Sequence, residues 1–239
     1  MKTIAMIPAR YAATRFPGKL MQRLGDKTVI AHTYQNTMAT RLFDEVMVVT
    51  DSQLIFDEIT HYGGYVVMSA QPHESGSDRI AEAVADLEVD IVVNVQGDEP
   101  FINKDALQAL LQVFYEPGSD VQVASIMQEF PIGQLDNPNY VKVVVDKNRN
   151  ALFFSRSVIP YPREKNITTP YYRHIGVYAY RKNALMEFTK WPPTPLETEE
   201  KIECLRYLEN GVSIKMVLAD YPGLGIDTPD DLEKAKLLL

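Results

Sequence analysis

Short apolar runs alternate with amphipathic stretches through the first half of the chain. Thr3 to Ile7, Val46 to Thr50, Tyr65 to Met68 and Ile91 to Val95 are nearly unbroken in hydrophobicity and rich in β-branched residues. That is the pattern of strands buried on both faces of a parallel sheet. Between them, Ile80, Ala83, Val84 and Leu87 follow the i, i+3, i+4, i+7 spacing of a helix with one apolar face. Leu107, Leu110, Leu111 and Phe114 repeat that spacing, and Asn103 is placed to cap the second helix. The alternation predicts an α/β fold with a doubly wound, mostly parallel sheet, whose ligand crevice lies at the carboxyl ends of the strands. The loops that begin at Pro8, Asp51 and Gln96 are therefore expected on one edge.

After Gly118 the pattern becomes strand-like, with runs Val121 to Ile126, Val141 to Val145 and Ala151 to Phe154. Asp146-Lys147-Asn148 reads as the turn of a hairpin between the last two. A proline- and tyrosine-rich passage from Pro160 to Tyr172 predicts a long ordered loop, and Ile175 to Tyr180 a strand that makes the sheet mixed. This region is suited to a second ligand or a partner subunit. The chain then reads as a helix over about 198–208, a strand from Val212 to Leu218 and a helix over about 229–238 capped by Thr228.

Composition narrows the class. With 239 residues and 46% apolar content the chain is long enough for one α/β domain over 1–239, with about 120–190 as an appended lobe. The formal charge of −8 argues against a nucleic-acid partner, which calls for a broad basic face. Local cations in turn-like segments suit a compact anion instead. The N-terminal apolar run is too short for a secretion signal, and no stretch approaches the roughly 20 apolar residues of a membrane helix. A cytoplasmic protein without membrane attachment is expected. One cysteine, Cys204, permits no internal disulfide, and His32, His61, His73 and His174 lack paired metal-ligand spacing.

Three loops carry the candidate chemistry. Pro8-Ala9-Arg10-Tyr11-Ala12-Ala13-Thr14-Arg15-Phe16-Pro17-Gly18-Lys19 follows the first strand directly. Its cations Arg10, Arg15 and Lys19 can neutralise phosphate oxygens that small residues let the backbone approach. The spacing is not that of a Walker loop, and a solvated surface turn is the alternative. Asn94-Val95-Gln96-Gly97-Asp98-Glu99-Pro100 ends a buried strand in two carboxylates. Asp98 suits Mg²⁺, which takes one or two carboxylates plus waters and phosphate oxygens, although an acid there can also simply cap the next element. Asp227, in Gly225-Ile226-Asp227-Thr228-Pro229-Asp230-Asp231, is a second ligand for the same ion or a helix cap. The segment His73 to Arg79 has the glycine, hydroxyls and arginine of a base or phosphate pocket, with a cap by Ser77 as its simpler reading. Arg156 and the Arg173-His174 pair place charge beside strands, where an anionic cosubstrate can be gripped.

Taken in order, Pro-Ala-Arg-Tyr…Thr-Arg-x-Pro-Gly-Lys, His73 to Arg79, Asn94 to Pro100, Arg173-His174-Ile175-Gly176-Val177-Tyr178 and Gly225 to Leu232 resemble the 3-deoxy-manno-octulosonate cytidylyltransferase family over nearly the whole chain. The resemblance implies a glycosyltransferase-A-like nucleotidyltransferase fold with a small dimerisation and sugar-binding lobe. It implies a homodimer that joins CTP to the sugar acid Kdo in lipopolysaccharide precursor synthesis, releasing pyrophosphate. On the matching positions, Arg10, Arg15 and Lys19 hold the triphosphate, with Ser75 and Arg79 near the nucleotide. Asp98 and Asp227 bind Mg²⁺, and Gln96, Arg156, His174 and Tyr178 face the sugar acid; Arg10, Lys19 and Asp98 carry the catalysis. Where many members read Glu-Gln-Leu-Arg this chain reads Glu203-Cys204-Leu205-Arg206. A thiol does not copy an amide's hydrogen bonds, so 8-amino-Kdo or a sialic acid stands beside Kdo as acceptor. A nucleotide-binding module without turnover is the reading from another class.

Overall fold

The computed structural model describes residues 1–12, 16–73, 75–164, 169–221 and 223–239. In chain order the elements are β1 (Thr3–Ala9), β2 (Arg23–Leu24), β3 (Lys27–Thr28), α1 (Val29–Ala39), β4 (Glu45–Thr50), α2 (Gln53–His61), β5 (Tyr65–Met68), α3 (Gly76–Val84), β6 (Ile91–Asn94) and α4 (Lys104–Tyr115). There follow β7 (Val123–Glu129), β8 (Lys142–Val145), β9 (Ala151–Ser155), β10 (Tyr172–Arg181), α5 (Lys182–Phe188), α6 (Pro195–Glu200), α7 (Leu205–Glu209), β11 (Ile214–Leu218) and α8 (Pro229–Lys236). The chain divides into two compact units, Met1–Lys104 with Pro222–Leu239, and Asp105–Tyr221.

The first unit is built on parallel strands in the order β6-β1-β4-β5. Ile4 to Ile7, Val46 to Val49 and Ile91 to Val93 are buried, which is why these runs are apolar at successive positions rather than alternating. β5 lies on the edge of this set and leaves Tyr65 and Met68 exposed. Because β1, β4 and β6 run the same way, their carboxyl ends and the loops that follow share one edge, as the alternation predicts. The helix predicted from the Ile80 to Leu87 spacing is α3, which buries Ile80, Ala81 and Val84. It starts under Ser75, whose Oγ accepts from Asp78 N at 3.1 Å; the cap is Ser75 rather than Ser77, because Ser77 already lies inside the first turn and is buried.

The second unit pairs β7 antiparallel to β10 and parallel to β11, and carries the β8-β9 hairpin on β10. The fold is thus of the mixed, mostly parallel α/β class. The hairpin turn is the expected one: Asp146 Oδ1 accepts from Asn148 N and Asn150 N, both at 2.8 Å. α4 buries the predicted Leu107, Leu110, Leu111 and Phe114. A second expectation is corrected. The helix over about 198–208 is two short helices, α6 and α7, because Lys201 turns left-handed at φ 54 and ends the first. Arg206 closes the break from the second helix, donating to Glu197 Oε1 at 2.5 Å and Oε2 at 2.8 Å.

Candidate active site

Three loops of the first unit converge. The β1 loop folds back on itself, with Gly18 N donating to Tyr11 O at 3.1 Å, and Gly18 takes the left-handed φ of 68 that a side chain would oppose. The fold-back delivers Lys19 at the start of a single 3-10 turn. After β6 the chain passes so close beneath the β1 loop that a Cβ on Gly97 would lie 3.1 Å from Pro8 O and 3.2 Å from Ile30 Cδ1. α1 holds this second loop in place: Thr33 Oγ1 donates to Gly97 O at 2.9 Å, and Asn36 Nδ2 to Pro100 O at 2.7 Å. The third loop is tied to the second by Ile226 N, which donates to Asp98 O at 2.9 Å.

The cap of α8 is made without the Asp227 carboxylate. Thr228 Oγ1 accepts from Asp231 N at 3.3 Å, while Asp231 Oδ2 accepts from Thr228 N at 3.0 Å and Thr228 Oγ1 at 2.8 Å. With Thr228 and Asp231 serving as the cap, the Asp227 carboxylate turns to the cavity. Its Oδ1 accepts from Lys19 Nζ at 2.9 Å, and Asp98 Oδ2 accepts from the same ammonium. Burial works against the Lys19 charge, but Asp98 and then Asp227 outweigh it and hold the lysine above its usual value. Two hard carboxylate oxygens thus meet at one position filled by positive charge, a donor set of the kind that a small hard cation shares with phosphate oxygens. Among the described residues no group of three or more His, Cys, Asp or Glu is arranged for a metal.

These groups line a cavity of about 250 Å³, bounded by Pro8, Ala9, Arg10, Phe16, Lys19 and Leu20, by His73, Ser75, Gly76 and Arg79, and by Gln96, Gly97, Asp98 and Asp227. Every described residue of this unit that the sequence nominates is therefore in one lining; Arg15 lies outside the described residues. Arg79 is buried, and its guanidinium donates to Asp51 Oδ2 at 2.6 Å and Ser69 Oγ at 2.8 Å. It therefore meets the cavity as the post that fixes the Asp51 loop.

In the second unit, His174 and Tyr178 sit on β10, either side of a register shift between Ile175 and Tyr178. Ser125 Oγ fills the irregularity, donating to Val177 O at 2.8 Å while lying 2.9 Å from His174 Nε2. The His174 ring stacks at an angle between Phe154 and Tyr178, with centroids at 4.9 and 5.2 Å, and burial pushes it down to about 3. It is a neutral hydrogen-bonding group. Cys204, buried and hydrogen-bonded with Tyr178, is pushed up to about 12 by burial, so it is a protonated packing thiol rather than a nucleophile. Arg156 donates to the carbonyls of Glu200 at 2.8 Å, Pro138 at 2.8 Å and Lys201 at 3.4 Å. Its guanidinium staples the end of β9 to the end of α6.

A profile of the cytidylyltransferase family matches residues 4–214. The 3-deoxy-manno-octulosonate cytidylyltransferase of Flavobacterium johnsoniae is 59% identical, covering 100% of this chain and 99% of the relative. The chain belongs to the 3-deoxy-manno-octulosonate cytidylyltransferase family. A second member, from Christiangramia forsetii, is 56% identical over 100% of this chain and 97% of its own length. The solved structure of a CMP:2-keto-3-deoxy-manno-octonic acid synthetase complexed with CTP superposes with a TM-score of 0.94 at 36% identity, over 100% of this chain and 98% of that one.

The supports of this cytidylyltransferase site escape local reading. Thr33 and Asn36 act from inside α1, a helix not predicted from the sequence, and Asp51 becomes part of the site through an arginine 28 residues later. Glu82, nine residues after His73, is bonded to that histidine's Nε2. Only the fold brings these pairs together.

Proposed function

We propose that the chain activates 3-deoxy-manno-octulosonate (Kdo) with CTP, giving CMP-Kdo and pyrophosphate for lipopolysaccharide synthesis. The observation that carries this is the cavity in which Arg10, Lys19, Asp98 and Asp227 meet at the carboxyl ends of the strands, in a chain of this family. The anomeric hydroxyl of Kdo attacks the α-phosphorus, and the bridge to the β-phosphate breaks. Little covalent chemistry is asked of the protein, so positioning and charge neutralisation supply the rate. Arg10 and Lys19 neutralise the triphosphate and the departing pyrophosphate. For Lys19 this means leaving its carboxylate partners when phosphate arrives. Asp98 and Asp227 would hold Mg²⁺, whose donor preferences the pair fits and which supplies Lewis-acid polarisation of the α-phosphate. Gln96, His174 and Tyr178 are assigned to the sugar acid; His174 offers a neutral hydrogen bond there, and Arg156 acts by shaping the neighbouring backbone. The second unit, including about 120–190, is assigned to sugar binding and dimerisation. A cytoplasmic homodimer is part of the proposal; no helix among the described residues is long and apolar enough to cross a membrane.

The test is pyrophosphate release with CTP, UTP or ATP against Kdo, 8-amino-Kdo and sialic acid. CTP with Kdo is expected to be the best pair, and 8-amino-Kdo is included because Cys204 offers no amide beside Tyr178. Replacing Asp98 by Ala should lower turnover by about 100-fold or more while the circular dichroism spectrum is kept. Absence of pyrophosphate with every CTP pair would overturn the reading, and near-normal Asp98→Ala turnover would remove the metal assignment.

A further inference from the structure

The connection between β5 and α3 is fastened to the helix by one carboxylate. Glu82 Oε1 accepts from the backbone N of Ala70 at 2.6 Å, and Oε2 is bonded to His73 Nε2. The same connection is pinned independently at Ser69, whose N donates to Thr50 O at 2.8 Å and whose Oγ accepts from Arg79 at 2.8 Å. Desolvation opposes the Glu82 charge, but the hydrogen bonds from His73 and Ala70 prevail and keep the carboxyl below its usual range. An ionised carboxylate only accepts, so His73 Nε2 must carry the hydrogen. In the neutral ring the lone pair is then on Nδ1, for which the described residues show no protein partner. His73 lines the nucleotide cavity together with Ser75, Gly76 and Arg79.

A nucleobase distinguishes the two possible tautomers. Cytosine presents an amino donor at position 4, where uracil presents a carbonyl acceptor. We infer that the Glu82–His73 pair selects the base of the nucleoside triphosphate: His73 Nδ1 accepts from the 4-amino group of cytosine, and Glu82 is the positioning residue that fixes the tautomer needed to do so. The inference rests on the nucleotide reading of the cavity and adds to it the group that tells CTP from UTP. Its chemistry is that of a site built to pair with a donor, where the wrong partner leaves two acceptors facing each other.

Glu82→Gln makes the test directional. The amide oxygen keeps the Ala70 bond, while the amide N–H donates to Nε2 and turns that nitrogen into the acceptor, so that Nδ1 carries the hydrogen and matches uracil instead. With Kdo as acceptor, kcat/KM for CTP is expected to fall about 10- to 100-fold, chiefly through KM, while kcat/KM for UTP rises. His73→Phe, which removes the acceptor and keeps a planar ring, should lower CTP use and relieve the opposition to the uracil carbonyl, so that the CTP/UTP ratio falls toward one. A purely structural role lowers both nucleotides in parallel, and an unchanged CTP/UTP ratio in either folded variant overturns the inference. Wild-type turnover of CTP in the same assay separates this outcome from failure of the cytidylyltransferase reading, in which the wild type itself is inactive.

Discussion

His174 owes its protonation state to its surroundings. Packed against Phe154 and Tyr178 and bonded to Ser125, the ring stays neutral because its charged form would be desolvated, with its ionisation lowered from 6.5 to about 3. In the unfolded chain it takes up a proton near 6.5, so between that value and about 3 the unfolded state binds a proton that the native state refuses. Stability from this residue is therefore lost as pH falls through that window. Urea midpoints of wild type and His174→Phe measured at pH 7 and pH 5 should show the variant gaining relative to wild type at the lower pH, by up to about 1.4 kcal/mol per unit. Parallel pH profiles would contradict the burial account. Sequence placed His174 beside a strand as a charged or polar group; that it is locked neutral was illegible, because Ser125 and Phe154 come from strands distant in the chain.

Among the elements, α8 shows local and tertiary information meeting in one turn. The Thr228-Pro229-Asp230-Asp231 order makes a helix start readable from sequence, and the helix begins at Pro229 under a reciprocal cap. What the order leaves open is whether Asp227 belongs to that cap, which was the simpler reading. The structure answers through Lys19, 208 residues away, which takes the Asp227 carboxylate. Asp231→Ala should cost about 1 kcal/mol of stability by denaturant titration, as for loss of a cap. It should also lower turnover, because Asp227 N and Thr228 N lose the oxygen that orients them. Full activity in a destabilised Asp231→Ala protein would separate the cap from the site. The split of the 198–208 helix is the opposite case: no glycine or proline marks Lys201, and the break is stabilised by Arg206 reaching back to Glu197.

On the scale of the whole molecule, the proposed homodimer makes a mass prediction. Ile132, Leu152 and Tyr161 of the second unit are exposed at 59%, 62% and 83%, apolar area that a partner copy would cover. Sedimentation at micromolar concentration should give twice the 27.1 kDa chain mass, and a species of 27.1 kDa throughout would refute the dimer. The amino-acid order by itself determined the α/β class, the main strands of the sheet, the helices α3, α4 and α8, and the three loops of the site, because periodicity and punctuation are local properties of the backbone; α1, α2 and α5 were not read from it. The same order nominated Arg10, Lys19, Ser75, Arg79, Gln96, Asp98 and Asp227, all of which line one cavity. Only the tertiary structure decided that Lys19 stands between two carboxylates, that Arg79 and Arg156 act as posts, and that Glu82 holds His73. Hydrogen bonds and desolvation depend on which groups are brought within about 3 Å, and that distance is set by the packing of the whole chain rather than by any segment of it.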